Sequence, residues 1–182
     1  MKKGNVLKLA QMSLLAALSI VVLYVIPTPP IFAAAPFLQY DAADVPILIG
    51  TMLFGPLPGL AILVVASAVQ ALTISAASGW IGFVMHVCAS GVLVLVSGYI
   101  YKKIPNIKGL IIGLVSGSAA MTVVMIPLNY IFTGIFLGAG SAAVTALLGY
   151  IVAFNLIKAV ANSAIAAVLF KILDPILKKI TK

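Results

Sequence analysis

Lys158 is the residue whose position most needs a chemical reason. It lies mid-way along a long apolar run, with Asn155 three residues before it and Asn162 four after, so the three share one helical face. A lysine at the centre of a membrane helix costs about 2.5 to 3.5 kcal/mol on insertion scales, and such residues tend to mark ligand or ion sites. Amides alone would serve as interhelical glue; the cation points instead to a ligand carrying acceptors. Removing a buried charge should relieve its desolvation cost and leave folding little harmed. A second stripe, Ser118, Thr122, Met125, Asn129 and Thr133, also follows helical spacing. Within it Asn129, just after Pro127, either meets a ligand or satisfies the carbonyl that the proline frees. A third group precedes a predicted helix: Tyr40 and Asp41, with Asp44 as that helix's N-cap.

This chemistry is recognition, not bond breaking. The chain lacks H-E-x-x-H, C-x-x-C and G-x-S-x-G, and no nucleophile stands beside a base, so it does not read as an enzyme. It has no G-x-x-x-x-G-K-[ST] loop and no Gly-Lys pair, so it cannot hydrolyse ATP by itself. His86 and Cys88 have no second ligand at metal spacing, so neither a metal nor a bound cofactor is expected. Asp174 and Lys178 read as a surface ion pair. Gly109, Gly113 and Gly117 form a ridge suited to close helix packing.

The elements that must hold these residues are membrane helices. Of 182 residues 64% are hydrophobic and 8% charged, and the mean hydropathy is +1.29; a soluble domain carries about 25% charge. The chain therefore reads as one transmembrane domain, residues 1–182, with room for six spans of about 20 residues. The first, about 6–26, is too long for a signal peptide core and reads as a retained helix. A proline-rich loop, 27–44, follows, and then a short helix from Asp44 to Gly55-Pro56. The remaining spans cover about 57–75, 80–101, 110–137 and 143–173, the fifth with Pro127 as its kink.

The formal charge of +8 comes from eleven lysines and no arginine, which argues against nucleic acid, where arginine's bidentate fork dominates. The lysines cluster at 2, 3 and 8, at 102, 103 and 108, and at 178, 179 and 182. Six spans place all three clusters on one side, which the positive-inside rule makes cytoplasmic along with both termini. The long first loop and the connections near 76–79 and 138–142 then face outwards and contain no lysine.

At Phe37-Leu38-Gln39-Tyr40-Asp41-Ala42-Ala43-Asp44 the sequence resembles the first loop of the substrate-binding S components of energy-coupling factor (ECF) vitamin transporters, in particular the riboflavin-specific RibU group. Asn155 to Lys158 is similar to that group's N-x-x-K motif, Pro127-Leu128-Asn129 to its fifth-helix asparagine, and Ser13 to Ala17 to its A-x-x-x-A motif, with serine where alanine is usual. The resemblance spans essentially the whole chain. It implies a six-helix fold in a bacterial plasma membrane, riboflavin as transported ligand, and ATP-driven uptake only with a transmembrane coupling protein and two ATPases. The pocket chemistry agrees. Asn129 or Asn155 can pair both ways with the flavin's uracil-like edge, and Lys158 can donate to a carbonyl or ring nitrogen. Tyr40 and Asp41 could hold ribityl hydroxyls, with Leu38, Trp80 and Met125 as apolar wall. A phosphate would want more cations, so riboflavin fits better than FMN. Ala10, Ser13 and Ala17 form a smooth stripe for either internal packing or the coupling protein, and the resemblance favours the partner. The other readings are an S component for pantothenate, folate or thiamin, or a structural six-helix membrane protein.

Overall fold

The computed structural model describes residues 3–26 and 29–180, and the side chains of 4–26 and 29–174. Those residues form α1 (Lys3–Val25), α2 (Asp44–Phe54), α3 (Pro56–Leu72), α4 (Gly79–Lys103), α5 (Ile107–Leu137) and α6 (Ser141–Ile180), with a 3-10 turn at Ala76–Ser78. They include no strand; Pro30 and Gln39 form an isolated antiparallel bridge inside the first loop. Four segments, Gly4–Val25, Ala76–Lys103, Ile107–Leu137 and Ser141–Asp174, are long and apolar enough to cross a membrane, whereas α2 and α3 are shorter.

Local chemistry explains most of the ends. Gly55 takes φ of 101°, a conformation open to glycine, and Pro56 starts α3 where its missing N–H is no loss. The Asn106 side chain caps α5 by accepting from the N–H groups of Lys108 and Gly109. Pro127 leaves α5 as one continuous helix. One expectation fails at α2: Asp44 is the first residue of the helix, and Ala43 before it makes no side-chain cap. Asp41 serves the local backbone instead, its Oδ1 accepting from Ala43 N–H at 3.1 Å. That frees the Asp44 carboxylate to point into the bundle.

α2 is the post around which the bundle packs. Residues 44–52 are all buried, and α1, α3, α4 and α6 all contact it. An 11-residue helix that is apolar all round can be stable only inside such a sheath. The expected glycine ridge packs α5 on α4: a Cβ at Gly113 would stand 2.8 Å from the Ser97 carbonyl oxygen, and one at Gly117 would stand 2.9 Å from that of Leu93. At the end of the bundle where α5 meets α6, a smaller cluster of Ala35, Leu38, Val144, Ile151 and Phe154 pins the first loop to α6. Lys178, the expected partner of Asp174, lies outside the described side chains, as do Lys2, Lys3, Lys179 and Lys182.

Candidate ligand-binding site

Loop 29–43, the α3–α4 connection and the upper parts of α4, α5 and α6 enclose two adjoining cavities. The larger, about 310 Å³, is lined by Phe37, Leu38 and Gln39 of the loop, by Ile81, Gly82 and Met85 of α4, by Met125, Asn129, Thr133 and Phe136 of α5, and by Phe154 and Asn155 of α6. The deeper, about 160 Å³, shares Gly82, Met85, Met125, Phe154 and Asn155 with it and adds Asp41, Gln70, His86 and Lys158. The first has an apolar body with a few polar groups, as small-molecule sites do. The second sets Asp41, Gln70, His86 and Lys158 among Met85, Ala89, Met121, Met125 and Phe154, and forms the floor.

Helical spacing has placed both amides. On α5, Asn129 donates to the Met125 carbonyl at 2.7 Å and its Oδ1 accepts from Thr133 at 2.6 Å. The carbonyl that Pro127 frees is that of residue 123, so its rescue is not what holds this amide. On α6, Asn155 donates to the Ile151 carbonyl at 2.8 Å. That bond turns Oδ1 away from the backbone, and no described side chain donates to it. Each amide keeps unused hydrogen-bonding capacity beside the cavity.

Lys158 is not solitary. Its Nζ donates to Asp41 Oδ2 at 2.9 Å and lies 3.6 Å from Asp44 Oδ2. Asp44, 1% exposed, also meets His86 Nε2 at 3.2 Å and Asn162 Nδ2 at 3.4 Å. His86 in turn reaches Ser67 Oγ through Nδ1, at 3.2 Å. Asn162 closes the network by donating to the Asp41 backbone carbonyl at 3.0 Å and accepting from the Tyr40 hydroxyl at 2.6 Å. Burial, followed by the Asp41 charge, raises the Tyr40 pKa, so the phenol stays a donor at neutral pH. Asp41, Asp44 and His86 offer ligand atoms within 4.8 Å of one another, a cluster that sequence spacing did not announce. The Lys158 ammonium already lies against both carboxylates of that cluster.

Of the residues singled out from the sequence, the cavities gather Leu38, Asp41, Met125, Asn129, Asn155 and Lys158. Two stand elsewhere. Trp80, expected on the apolar wall, is 61% exposed and packs edge-on against Phe132 at 6.0 Å, outside the cavity. Tyr40 spends its hydroxyl on Asn162 and lines neither compartment. Sequence reading passed over Gln70, discounted His86 as a metal ligand, noted Thr133 only as part of the α5 stripe, and gave Phe37 and Phe154 no role in the site. His86 and Gln70 carried the signal that marked Lys158, a polar side chain in an apolar run.

Residues 7–170 match the family described as the substrate-specific component of ECF transporters. The chain belongs to that family. This S component is 29% identical to the riboflavin transporter FmnP of Bacillus subtilis (strain 168), over 94% of each chain. It is 32% identical to the riboflavin transporter RibU of Streptococcus thermophilus, over 97% of this chain and 87% of the relative. A solved structure described as the S component of a bacterial ECF transporter superposes with a TM-score of 0.85 at 29% identity, covering 96% of this chain and 99% of the other. Membership makes the S component a transport subunit, not an enzyme. On its first helix Ala10, Ser13 and Ala17 are all exposed, while Ala16 and Ser19 face inwards, so the stripe is not internal packing.

Proposed function

We propose that this S component binds riboflavin in the paired cavities and delivers it across a bacterial plasma membrane, working with a transmembrane coupling protein and two ATP-binding subunits. Riboflavin is cargo here, not a cofactor. The observation that carries the reading is an apolar slot with Asn129 and Asn155 at its edge and one lysine at its floor. An isoalloxazine has a flat apolar body and an edge on which one N–H lies between two carbonyls. Asn155 Oδ1 has an unused acceptor for that N–H, and the spare amide and ammonium hydrogens suit the carbonyls. Riboflavin transporters among the relatives support the same ligand. Because Lys158 is already balanced by Asp41 and Asp44, a phosphate would meet carboxylates before it met a free cation, which favours riboflavin over FMN.

The membrane orientation we assign puts the cavities outside, with six crossings and both termini in the cytoplasm. Support comes from the lysines: among the described side chains, Lys8, Lys102, Lys103 and Lys108 lie at the opposite end from the cavities. The direct test is the absorbance of the protein purified from cells grown with riboflavin. A yellow sample whose flavin fluorescence is quenched and returns on denaturation is expected. A colourless protein that fails to quench added riboflavin ends this reading.

A further inference from the structure

A further cavity, of about 390 Å³, lies at the lysine end of the bundle, away from the ligand site. Small-molecule sites run from about 300 to 1,000 Å³, so it has room for an occupant. One wall is the α2–α3 corner from Thr51 to Pro58, and the other is the end of α4, with Gly98, Tyr99, Tyr101 and Lys102. The two walls close on each other behind it: a Cβ at Gly98 would stand 2.7 Å from Thr51 Cγ2 and 2.9 Å from Pro56 Cβ.

Depth and charge narrow the choice of occupant. The segment Ala76–Lys103 is long and apolar enough to cross a membrane, so Lys102 and the two tyrosines stand where hydrocarbon gives way to headgroups. Lys102 lines the cavity, and Lys8 of α1 holds its Nζ 5.9 Å from the ring centroid of Phe54, a wall residue. Neither lysine has an ion-pair partner among the described residues. No carboxylate lines the cavity: of the chain's three, Asp41 and Asp44 are held at Lys158, and Asp174 lies on α6. The lining is greasy as well as cationic, with Leu57 62% exposed and Tyr99 46% exposed.

We propose that this cavity binds an anionic phospholipid of the surrounding bilayer, its phosphate set against Lys102 and Lys8 and its glycerol and upper acyl chain against Leu57 and Tyr99. The site is independent of the riboflavin reading. Basic pockets between helices at the membrane surface suit anionic headgroups, and the apolar lining suits the chains that follow. A free phosphate would use only the cations. Positive charge at this end orients the chain whichever lysine carries it, whereas a cavity flanked by two of them can also select a headgroup. Phosphatidylglycerol brings a net negative charge; phosphatidylcholine brings a second cation that the lysines repel.

The test adds phosphatidylglycerol, phosphatidylcholine or glycerol 3-phosphate to the purified protein in neutral detergent, reading the melting temperature and the lipid retained in native mass spectrometry. Phosphatidylglycerol should raise the melting temperature more than phosphatidylcholine and stay bound, and glycerol 3-phosphate should do neither. Lys8→Gln/Lys102→Gln should lose that preference. Lys103→Gln/Lys108→Gln, which removes the same charge from the same end but from residues outside the lining, should keep it. Equal effects of the two lipids, or equal loss in both double variants, would reduce the lysines to a general surface charge and overturn the site. Glycerol 3-phosphate matching phosphatidylglycerol would make it a site for free anions and overturn the lipid.

Discussion

Lys158 does two jobs with three N–H donors: it is the cation held against two carboxylates, and it leaves a donor for the cavity floor. Its sequence neighbours gave no hint of the first job, because Asp41 and Asp44 lie more than a hundred residues away along the chain. The expectation that its removal would leave folding little harmed is therefore reversed. Lys158→Met leaves two buried or half-buried carboxylates without their cation, and breaking such a pair costs about 3 to 5 kcal/mol. We expect a clear fall in the melting temperature of the ligand-free protein in detergent, partly recovered in Lys158→Met/Asp41→Asn; an unchanged melting temperature would show the pair to be energetically idle. Asn155→Leu removes an amide bonded only to the Ile151 carbonyl of its own helix. It should fold normally and weaken riboflavin binding by about 1 to 3 kcal/mol, the cost of a ligand polar group left unpaired in a dry site, read by titrating flavin fluorescence.

At the scale of elements, the site depends on how closely α5 approaches α4. The glycines at 113 and 117 put backbone against backbone, the kind of contact that drives helix association where lipid supplies no hydrophobic force. That approach helps position Met125 and Asn129 further along α5 across from Gly82 and Met85. Gly113→Leu places a side chain where the Ser97 carbonyl already stands 2.8 Å from an added Cβ, and overpacking of this kind costs about 1 to 3 kcal/mol or more. We expect lower thermal stability together with weaker flavin binding, although residue 113 touches neither cavity; a variant that keeps both would mean that the helices can separate freely. The first loop is positioned differently. It has no regular structure to define it and is held by side chains, with Leu38 in the apolar cluster, Tyr40 on Asn162 and Asp41 on Lys158.

For the whole molecule, the proposed orientation and the partner surface are open to direct test. In a Cys88→Ala background, a cysteine at Ser141 should react with an impermeant thiol reagent in intact cells and one at Asn106 should not; the opposite pattern would invert the topology. The exposed stripe of Ala10, Ser13 and Ala17 offers a smooth surface on which a foreign helix could lie. Ala17→Trp, and more mildly Ser13→Leu, should leave riboflavin binding by the isolated protein intact while abolishing ATP-driven uptake and co-purification with the coupling proteins. Normal uptake by Ala17→Trp would assign the stripe to lipid.

Some of this was legible in the amino-acid order because it depends on short-range periodicity. Apolar runs, prolines and glycines marked the helices to within a few residues over most of their ends, and the spacing of three and four along α5 and α6 placed Asn129, Asn155 and Lys158 on inward faces. The cost of a polar group in hydrocarbon made those residues stand out before any contact was known. Only the tertiary structure could decide which residues meet across the bundle. Asp44 read as a cap because its neighbours along the chain were all that could be seen; it is instead bonded to His86, 42 residues away, and to Asn162, 118 residues away. Trp80 read as cavity wall and faces outwards, since helical phase relative to neighbouring helices is set by packing that no local window contains.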